Sequence, residues 1–271
     1  MKGNTNVLFY GYKIKGNEYI QNRLEYKGDY LYDIKYNGKG YDENGNIIYE
    51  LINGTGKVKE YSQFFDYLEF EGEYFNRRRN GKGKEYNCYN GGIIFDENTF
   101  TNGKENKNSK NRSKLIFEGE YFNGERNGKG KEYDYNGGLI FEGLYFNGKR
   151  WSGKGKDYKG NKLIFEGEYS CGTPWNGKII DYNEFGDIQM EIELMNGIRS
   201  GKGKEYNYDG NLIYEGEYFK GVRSGNGKEY DKNGNLIFEG KFLNGLRWIG
   251  KEKSYDDYGK LIIEKEYSNW K

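Results

Sequence analysis

One short pattern recurs along this chain at a nearly constant interval, and it restricts the possible folds more than any other feature. The pattern is marked by the glycine of a Glu-Gly pair, at Gly72, Gly119, Gly143, Gly167, Gly216 and Gly240. Where the pattern is best kept, consecutive glycines are 24 residues apart, and the two longer gaps are close to two periods. Self-similarity at a fixed period is the signature of a repeat architecture, in which each repeat packs mainly on its neighbours.

Residues 115–133, LIFEGEYFNGERNGKGKEY, predict a β-hairpin for each repeat. Alternation places Leu115, Phe117, Gly119 and Tyr121 on one face of the first strand. Asn-Gly at 123–124 is a turn dipeptide that tolerates positive φ, and the Gly-rich segment that follows is the return strand. A single hairpin cannot bury its apolar face, so a row of hairpins is required.

Glycine inside a strand is normally unfavourable, so its regular placement needs a physical reason. We expect Gly119, Gly128 and Gly130 to leave slots that Phe117, Tyr121 or their equivalents in neighbouring repeats occupy. The predicted fold class is therefore all-β: a single-layer array of stacked antiparallel β-hairpins, an elongated ribbon with about 24 residues per hairpin.

The pattern also predicts how the chain is organised. Residues 1–24 keep only traces of the repeat and are expected to form a degenerate N-terminal cap. Residues 25–271 form the repeat array, with about nine or ten repeats. Within it, residues 96–113 (DENTFTNGKENKNSKNRS) are rich in Asn, Lys and Ser and indicate a polar insertion in a surface loop. Residues 169–182 depart from the pattern, with Pro174 where other repeats have Arg, which predicts a local bend or register change.

The runs GEYFNRRRNGKGKEY (72–86), GEYFNGERNGKGKEY (119–133) and GEYFKGVRSGNGKEY (216–230) resemble the MORN (membrane occupation and recognition nexus) repeat family. The resemblance covers residues 25 to 267, except for the insertion and the departure at 169–182. It implies a hairpin array, and it implies a peripheral membrane adaptor as one role. Members of this family are often attached to catalytic domains, so the chain could be the targeting portion of a larger protein.

Composition narrows the functional classes. Lys and Arg number 43 against 42 Asp and Glu, without the basic excess typical of a nucleic-acid binder. The chain has no apolar run long enough to span a bilayer and no signal-peptide core at its start. Two cysteines, Cys88 and Cys171, and the absence of histidine argue against a disulfide framework, a metal site and the commonest general base. We therefore expect a cytoplasmic protein with no cofactor and no nucleic-acid partner; the alternative location is peripheral to membrane or cytoskeleton.

Two motifs invite a catalytic interpretation and are better explained by structure. Residues 148–154, GKRWSGK, fit most of a phosphate-binding loop, but Gly155 stands where Ser or Thr is required and no strand-to-helix context surrounds it. Glu118 and Glu120 lie on one strand face, about 7 Å apart by strand rise. Such pairs recur on successive repeats, which favours pairing with the lysines of the return strand over a catalytic site.

A row of arginines is the remaining candidate site. These residues occupy the equivalent turn position of their repeats, and stacking predicts that they line one edge: Arg79, Arg126, Arg150, Arg199, Arg223 and Arg247. Such a row could contact anionic lipid headgroups or an acidic protein face. The alternative is a set of solvated residues that discourage edge-to-edge aggregation. We predict a non-enzymatic repeat scaffold with a protein partner, the alternative being an adaptor that binds anionic phospholipids through these arginines. The sequence also allows a homodimer that forms through an unpaired end strand of the stack.

Overall fold

A computed structural model describes residues 13–20, 22–62, 67–88, 100–101, 104–105 and 113–269. The chain divides into two compact units, Met1–Arg150 and Trp151–Lys271, called the first and second unit below. In the described part of the chain every regular element is a β-strand, and twenty strands belong to an antiparallel sheet of consecutive hairpins. The predicted fold class, an all-β single-layer array of hairpins, is confirmed.

The strands of the first unit are β1 (Lys13–Ile20), β2 (Arg23–Leu31), β3 (Ile34–Tyr41), β4 (Ile47–Ile52), β5 (Thr55–Tyr61), β6 (Leu68–Phe75), β7 (Arg78–Cys88), β8 (Phe100–Thr101), β9 (Lys104–Glu105), β10 (Ser113–Phe122), β11 (Glu125–Tyr133) and β12 (Leu139–Phe146). Strand β13 (Lys149–Lys159) contains the boundary between the units. The second unit continues with β14 (Lys162–Ser170), β15 (Thr173–Tyr182), β16 (Ile188–Met195), β17 (Ile198–Tyr206), β18 (Leu212–Phe219), β19 (Val222–Tyr230), β20 (Leu236–Leu243), β21 (Leu246–Tyr255) and β22 (Leu261–Ser268).

The hairpin of β10 and β11 illustrates the repeat. Its turn residues Asn123 and Gly124 have φ of 54° and 95°, the positive values that the Asn-Gly dipeptide predicts. In the strands, Phe117 lies opposite Glu132 and Gly119 lies opposite Gly130. The turn that leads out of β11 is closed by Asp134, whose Oδ1 accepts hydrogen bonds from the backbone N–H groups of the second and fourth residues after it.

The core is a row of aromatic rings seated over glycines. Phe117 is fully buried, and its ring meets Tyr121 of its own strand and Tyr145 of the next hairpin edge to face, with ring centroids 5.6 and 4.9 Å apart. A Cβ on Gly119 or Gly130 would lie 2.7 or 2.6 Å from the Phe117 ring, closer than any carbon contact allows. These two glycines therefore provide the predicted slot for an aromatic side chain.

Gly128 has a different role from the one its sequence position suggests. The register shifts between Gly119 and Tyr121, so that β11 bulges around Gly128. Gly128 has φ of 96°, and a Cβ there would meet the Glu120 carboxylate at 2.1 Å rather than an aromatic ring. The expectation that Gly128 is an aromatic slot was wrong, because the bulge turns this residue out of the alternation.

The expected departure at 169–182 appears as a register shift between Glu168 and Tyr169, with Gly167 opposite Gly177 and Tyr169 opposite Pro174. Shifts occur in most of the other hairpins as well, so this one is not a break in the array. The insertion and the cap fall largely outside the described residues. Only Phe100–Thr101, Lys104–Glu105 and Ser113 are described within 96–113. Strands β7 and β10, on either side of it, pair directly with each other.

At the start of the array, residues 1–12 and 21 of the predicted cap lie outside the described residues. Residues Lys13–Ile20 form β1, which pairs with β2 and places Gly16 opposite Gly28. The repeat register thus reaches into the predicted cap, and the boundary at residue 24 stays a prediction.

Candidate functional site

The six arginines of the predicted row lie in strands rather than in turns. Each is the second residue of its return strand, as in β11, where Arg126 lies opposite Tyr121. The prediction of a turn position was wrong by two residues, because each of these turns has only two residues, as few as a hairpin allows. One consequence is that the arginine side chains lie on the aromatic face of the sheet.

Arg126 shows what this placement does. Its guanidinium carbon lies 4.1 Å from the centroid of the Phe117 ring. The same guanidinium donates a hydrogen bond to Glu85 of β7, and the Tyr121 hydroxyl donates to the other Glu85 oxygen at 2.9 Å. Arginine therefore covers the buried ring, and the carboxylate of the preceding hairpin holds it there.

The arrangement repeats from hairpin to hairpin. Tyrosine and arginine of one hairpin bind the glutamate of the hairpin before it in four places: Tyr74 and Arg79 on Glu60, Tyr121 and Arg126 on Glu85, Tyr145 and Arg150 on Glu132, and Tyr218 and Arg223 on Glu205. Arg199 pairs with Asp181, and Arg247 pairs with Glu229 and Glu252. We call this set the Tyr-Arg-Glu ladder.

Burial and pairing compete in setting the charge state of the ladder. Burial raises the pKa of the Glu85 carboxyl. The hydrogen bond and charge of Arg126, together with the hydrogen bond from Tyr121, lower this pKa by more, so the net shift is downward. The pKa of Glu205 is lowered in the same way by Arg223 and Tyr218. The pKa values of Tyr121 and Tyr218 are raised, first by burial and then by the neighbouring carboxylates. The ladder is thus held as carboxylate, neutral tyrosine and guanidinium.

The carboxylates of the ladder are the residues that sequence reasoning missed. A signal for them was present, because three arginines follow their glutamate at a constant separation of 18 residues. The expectation that the arginines contact a lipid or a partner stays a prediction. Each of these guanidinium groups already has a carboxylate partner within the chain.

The opposite face of the sheet carries the Glu and Lys residues that flank the glycines, and in the first unit it forms a groove of about 1220 Å³. We call it groove 1; its charged lining residues are Lys57, Lys59, Glu71, Glu73, Lys82, Lys84, Glu118, Glu120, Lys129, Lys131 and Glu142. The second unit has its own groove of about 1180 Å³, groove 2, with the charged lining residues Glu166, Lys178, Glu191, Glu193, Lys202, Lys204, Glu215, Glu217, Lys228 and Glu239.

The glutamate pair at 118 and 120 is engaged within groove 1. Glu118 accepts a hydrogen bond from the Tyr133 hydroxyl at 2.7 Å, and Glu120 accepts one from the backbone N–H of Lys129 at 2.8 Å. Lys131 reaches across to Glu142 of the next strand, at 3.2 Å. Pairing of Glu118 and Glu120 with Lys129 or Lys131 of the same hairpin was expected, but Lys131 pairs instead with Glu142 of the neighbouring hairpin.

The phosphate-loop interpretation of residues 148–154 has an ordinary structural explanation. Gly148, with φ of 76°, is a hairpin turn residue, and the residues that follow it belong to β13. In that strand Lys154 lies opposite Glu168. The segment is a hairpin turn followed by a strand, whereas a phosphate-binding loop is followed by a helix.

In the residues that the structure describes, no three His, Cys, Asp or Glu side chains are grouped as a metal site would require. Cys171 is an exposed turn residue with φ of 50°. No helix in this part of the chain is long and apolar enough to cross a membrane.

No protein-family model matches the chain, and no curated protein matches it. Among solved structures, it is similar over 94% of its length to part of a Tc holotoxin pore from Photorhabdus luminescens, at 12% identity and a TM-score of 0.26. A crystal structure of TcdB2-TccC3-TEV is similar over the same share, at 12% identity and a TM-score of 0.22. The chain spans 14% of the length of each of those chains.

Proposed function

We propose that this chain is a non-enzymatic repeat scaffold that binds a protein partner through the grooved, charged face of its hairpins. One observation carries the proposal. The aromatic face is occupied by contacts of the chain with itself, whereas each unit presents an open groove of roughly 1200 Å³ on the other face. Glutamate and lysine recur there once or twice per hairpin, so a partner laid along the groove meets the same chemistry at each step.

The geometry of groove 1 supports this role. Its exposed ion pairs, such as Lys131 with Glu142, contribute little to folding, since exposed pairs typically stabilise by about 0–1 kcal/mol. In the described part of the chain, Lys57, Lys82 and Lys129 have no carboxylate within 4.0 Å of their ammonium groups. These lysines can therefore bind a partner without a loss of internal contacts.

The test is affinity capture with the full chain as bait, followed by binding of the purified partner to variants. Lys82→Glu with Lys129→Glu reverses two charges in groove 1. Lys232→Glu with Lys260→Glu makes the same change in charge at exposed turns outside the groove residues. We expect the first variant to weaken partner binding and the second to bind like the wild type. Equal loss in both, or no protein partner at all, would contradict the proposal.

The alternative function, binding of anionic phospholipids through the arginine row, would require the arginines to leave their carboxylate partners. A headgroup would have to displace Glu85 from Arg126 and the equivalent carboxylates elsewhere, at the cost of ladder contacts. Sedimentation of the wild type with phosphatidylserine-containing vesicles at physiological salt would favour this alternative. Its absence at physiological salt would favour the protein partner.

A further inference from the structure

A continuous stripe of exposed apolar side chains runs along the hairpin tips of the second unit. Its members flank three successive turns and are 45–66% exposed: Met195, Ile198, Phe219, Val222, Leu243 and Leu246. They lie opposite each other in pairs, Met195 with Ile198, Phe219 with Val222 and Leu243 with Leu246. We call these six residues the tip stripe.

Backbone hydrogen bonds hold the three tips side by side. The N–H of Gly221 donates to the Arg199 carbonyl at 2.8 Å, and the N–H of Gly245 donates to the Arg223 carbonyl at 2.9 Å. With strands about 4.8 Å apart, six positions extend over roughly 24 Å. The exposed apolar area is on the order of a few hundred Å², a size that usually marks an interaction surface.

The repeat fold does not require this stripe. At two equivalent tips of the first unit, Phe75 lies opposite Arg78 and Phe122 lies opposite Glu125. Each phenylalanine is therefore paired with a charged residue instead of an apolar one. Those tips have the same backbone turns and the same bonds between neighbouring turns. In the first unit Leu31 lies opposite Ile34, but the next tip has Ile52 opposite Thr55, so this apolar pair stands alone. A run of three apolar pairs is therefore not a need of the hairpin.

Charge beside the stripe indicates what would cover it. Glu193 and Glu217 stand two residues before Met195 and Phe219, on the same face of their strands, whereas Lys241 takes this place before Leu243. Each carboxylate accepts a backbone N–H, and neither has a Lys or Arg nitrogen within 4.0 Å in the described part of the chain. Groove 2, which Met195 also lines, has six carboxylates and four lysines, whereas groove 1 has five carboxylates and six lysines.

We propose that the tip stripe and the adjoining edge of groove 2 bind an amphipathic α-helix of a partner protein, with Lys or Arg on the flank of its apolar face beside the first two tips. An α-helix presents one apolar position per turn of 5.4 Å, close to the spacing of the strands, and about 16 residues span 24 Å. Its basic flank would lie against Glu193 and Glu217. An anionic bilayer is the poorer match, because these carboxylates would face its headgroups.

This inference rests on the proposed function and specifies the partner for the second unit. The probe is a fluorescent amphipathic helical peptide of roughly 18 residues with a leucine face and a lysine flank, compared with the same peptide carrying glutamate in place of lysine. Anisotropy at physiological salt measures binding to the full chain. The variants are Phe219→Ser with Leu243→Ser, which removes part of the stripe, and Glu193→Gln with Glu217→Gln, which keeps the hydrogen-bond acceptors. Phe75→Ser with Phe122→Ser is the matched control in the first unit.

We expect the lysine peptide to bind, and at least about a tenfold loss of affinity in the stripe variant, since a few central residues carry most of the binding energy of such contacts. The Glu→Gln variant should lose affinity for the lysine peptide only, and the control should bind normally. Equal binding of both peptides, no binding of either, or equal loss in the control overturns the inference. The inference is also overturned if the wild type dimerises and the stripe variant does not. The same holds if the wild type sediments with anionic vesicles and the stripe variant does not. A captured partner that binds the stripe variant normally refutes this inference while leaving the proposed scaffold intact.

Discussion

Arg126 covers the fully buried ring of Phe117, with 4.1 Å between the guanidinium carbon and the ring centroid, while it pairs with Glu85 of the preceding hairpin. One side chain thus closes the aromatic core and joins two hairpins. The arginine is more than a solubilising residue, because its removal exposes a ring and leaves a partly buried carboxylate with fewer partners.

Arg126→Ala should therefore lower the free energy of unfolding by about 2 kcal/mol, through the lost charged hydrogen bond and the lost ring contact. Arg199→Ala is the comparison. Its side chain is 40% exposed against 21% for Arg126, and Met190 stands where the Arg126 hairpin has Phe117. That variant should lose less than about 1 kcal/mol. Urea unfolding followed by circular dichroism measures both, and equal losses would contradict a stabilising role for the ring.

Gly130→Ala should be one of the most destabilising single changes in the chain. The new Cβ would lie 2.6 Å from two carbons of the Phe117 ring and 3.1 Å from Tyr145, so the strand or the ring must move. Overpacking of this kind costs about 1–3 kcal/mol. Gly160→Asn is the control, since its φ of 61° suits Asn and no heavy atom lies within 4 Å of the Cβ position. A melting temperature for Gly130→Ala as high as that of the control would refute the interpretation that Gly130 leaves room for the Phe117 ring.

Acid should weaken the Tyr-Arg-Glu ladder. The folded-state pKa of Glu205 lies below 4.5, so its carboxylate stabilises the fold above pH 4.5 and loses that contribution as the pH falls through the lowered value. The unfolding free energy of the wild type should fall as the solution is acidified below pH 4.5. The slope should be shallower for Glu205→Gln, which has no proton to gain. Parallel curves for the two proteins would show that Glu205 is not linked to folding.

Two tyrosines of the folded chain should ionise at a higher pH than tyrosine in the unfolded chain. Burial, and hydrogen bonding to Glu118 and Glu215, raises the pKa of Tyr133 and Tyr230 from 10.0 to about 12. These neutral hydroxyls stabilise the fold below pH 10 and lose that contribution as the pH rises towards 12. Near-ultraviolet titration of tyrosinate should therefore lag behind that of the guanidinium-unfolded chain. Glu118→Gln should move part of the absorbance change to lower pH, and an unchanged curve would argue against the Tyr133 contact.

Much of the hairpin could be predicted from single residues. Asn123-Gly124 predicts its turn, and the alternation of Phe117, Gly119 and Tyr121 predicts the aromatic face; both follow from local backbone rules. The bulge at Gly128 could not be predicted, because the alternating pattern continues unbroken through it. The role of Arg126 was missed for a similar reason: its partner Glu85 lies 41 residues earlier in the sequence, and local spacing says nothing about such a pair.

The 24-residue interval, its strand alternation and its Asn-Gly turns were sufficient to establish an all-β array of hairpins, since backbone sterics and the need to bury one face leave few alternatives. The tertiary structure alone decided which face the arginines occupy and which partner each charge has. Arg126 and four of its five equivalents lie over aromatic rings, and Glu120 folds back onto a bulge. Among the described tips, three successive apolar pairs occur in the second unit. The physical reason is that register, bulges and contacts between hairpins are set by packing among residues distant in the sequence.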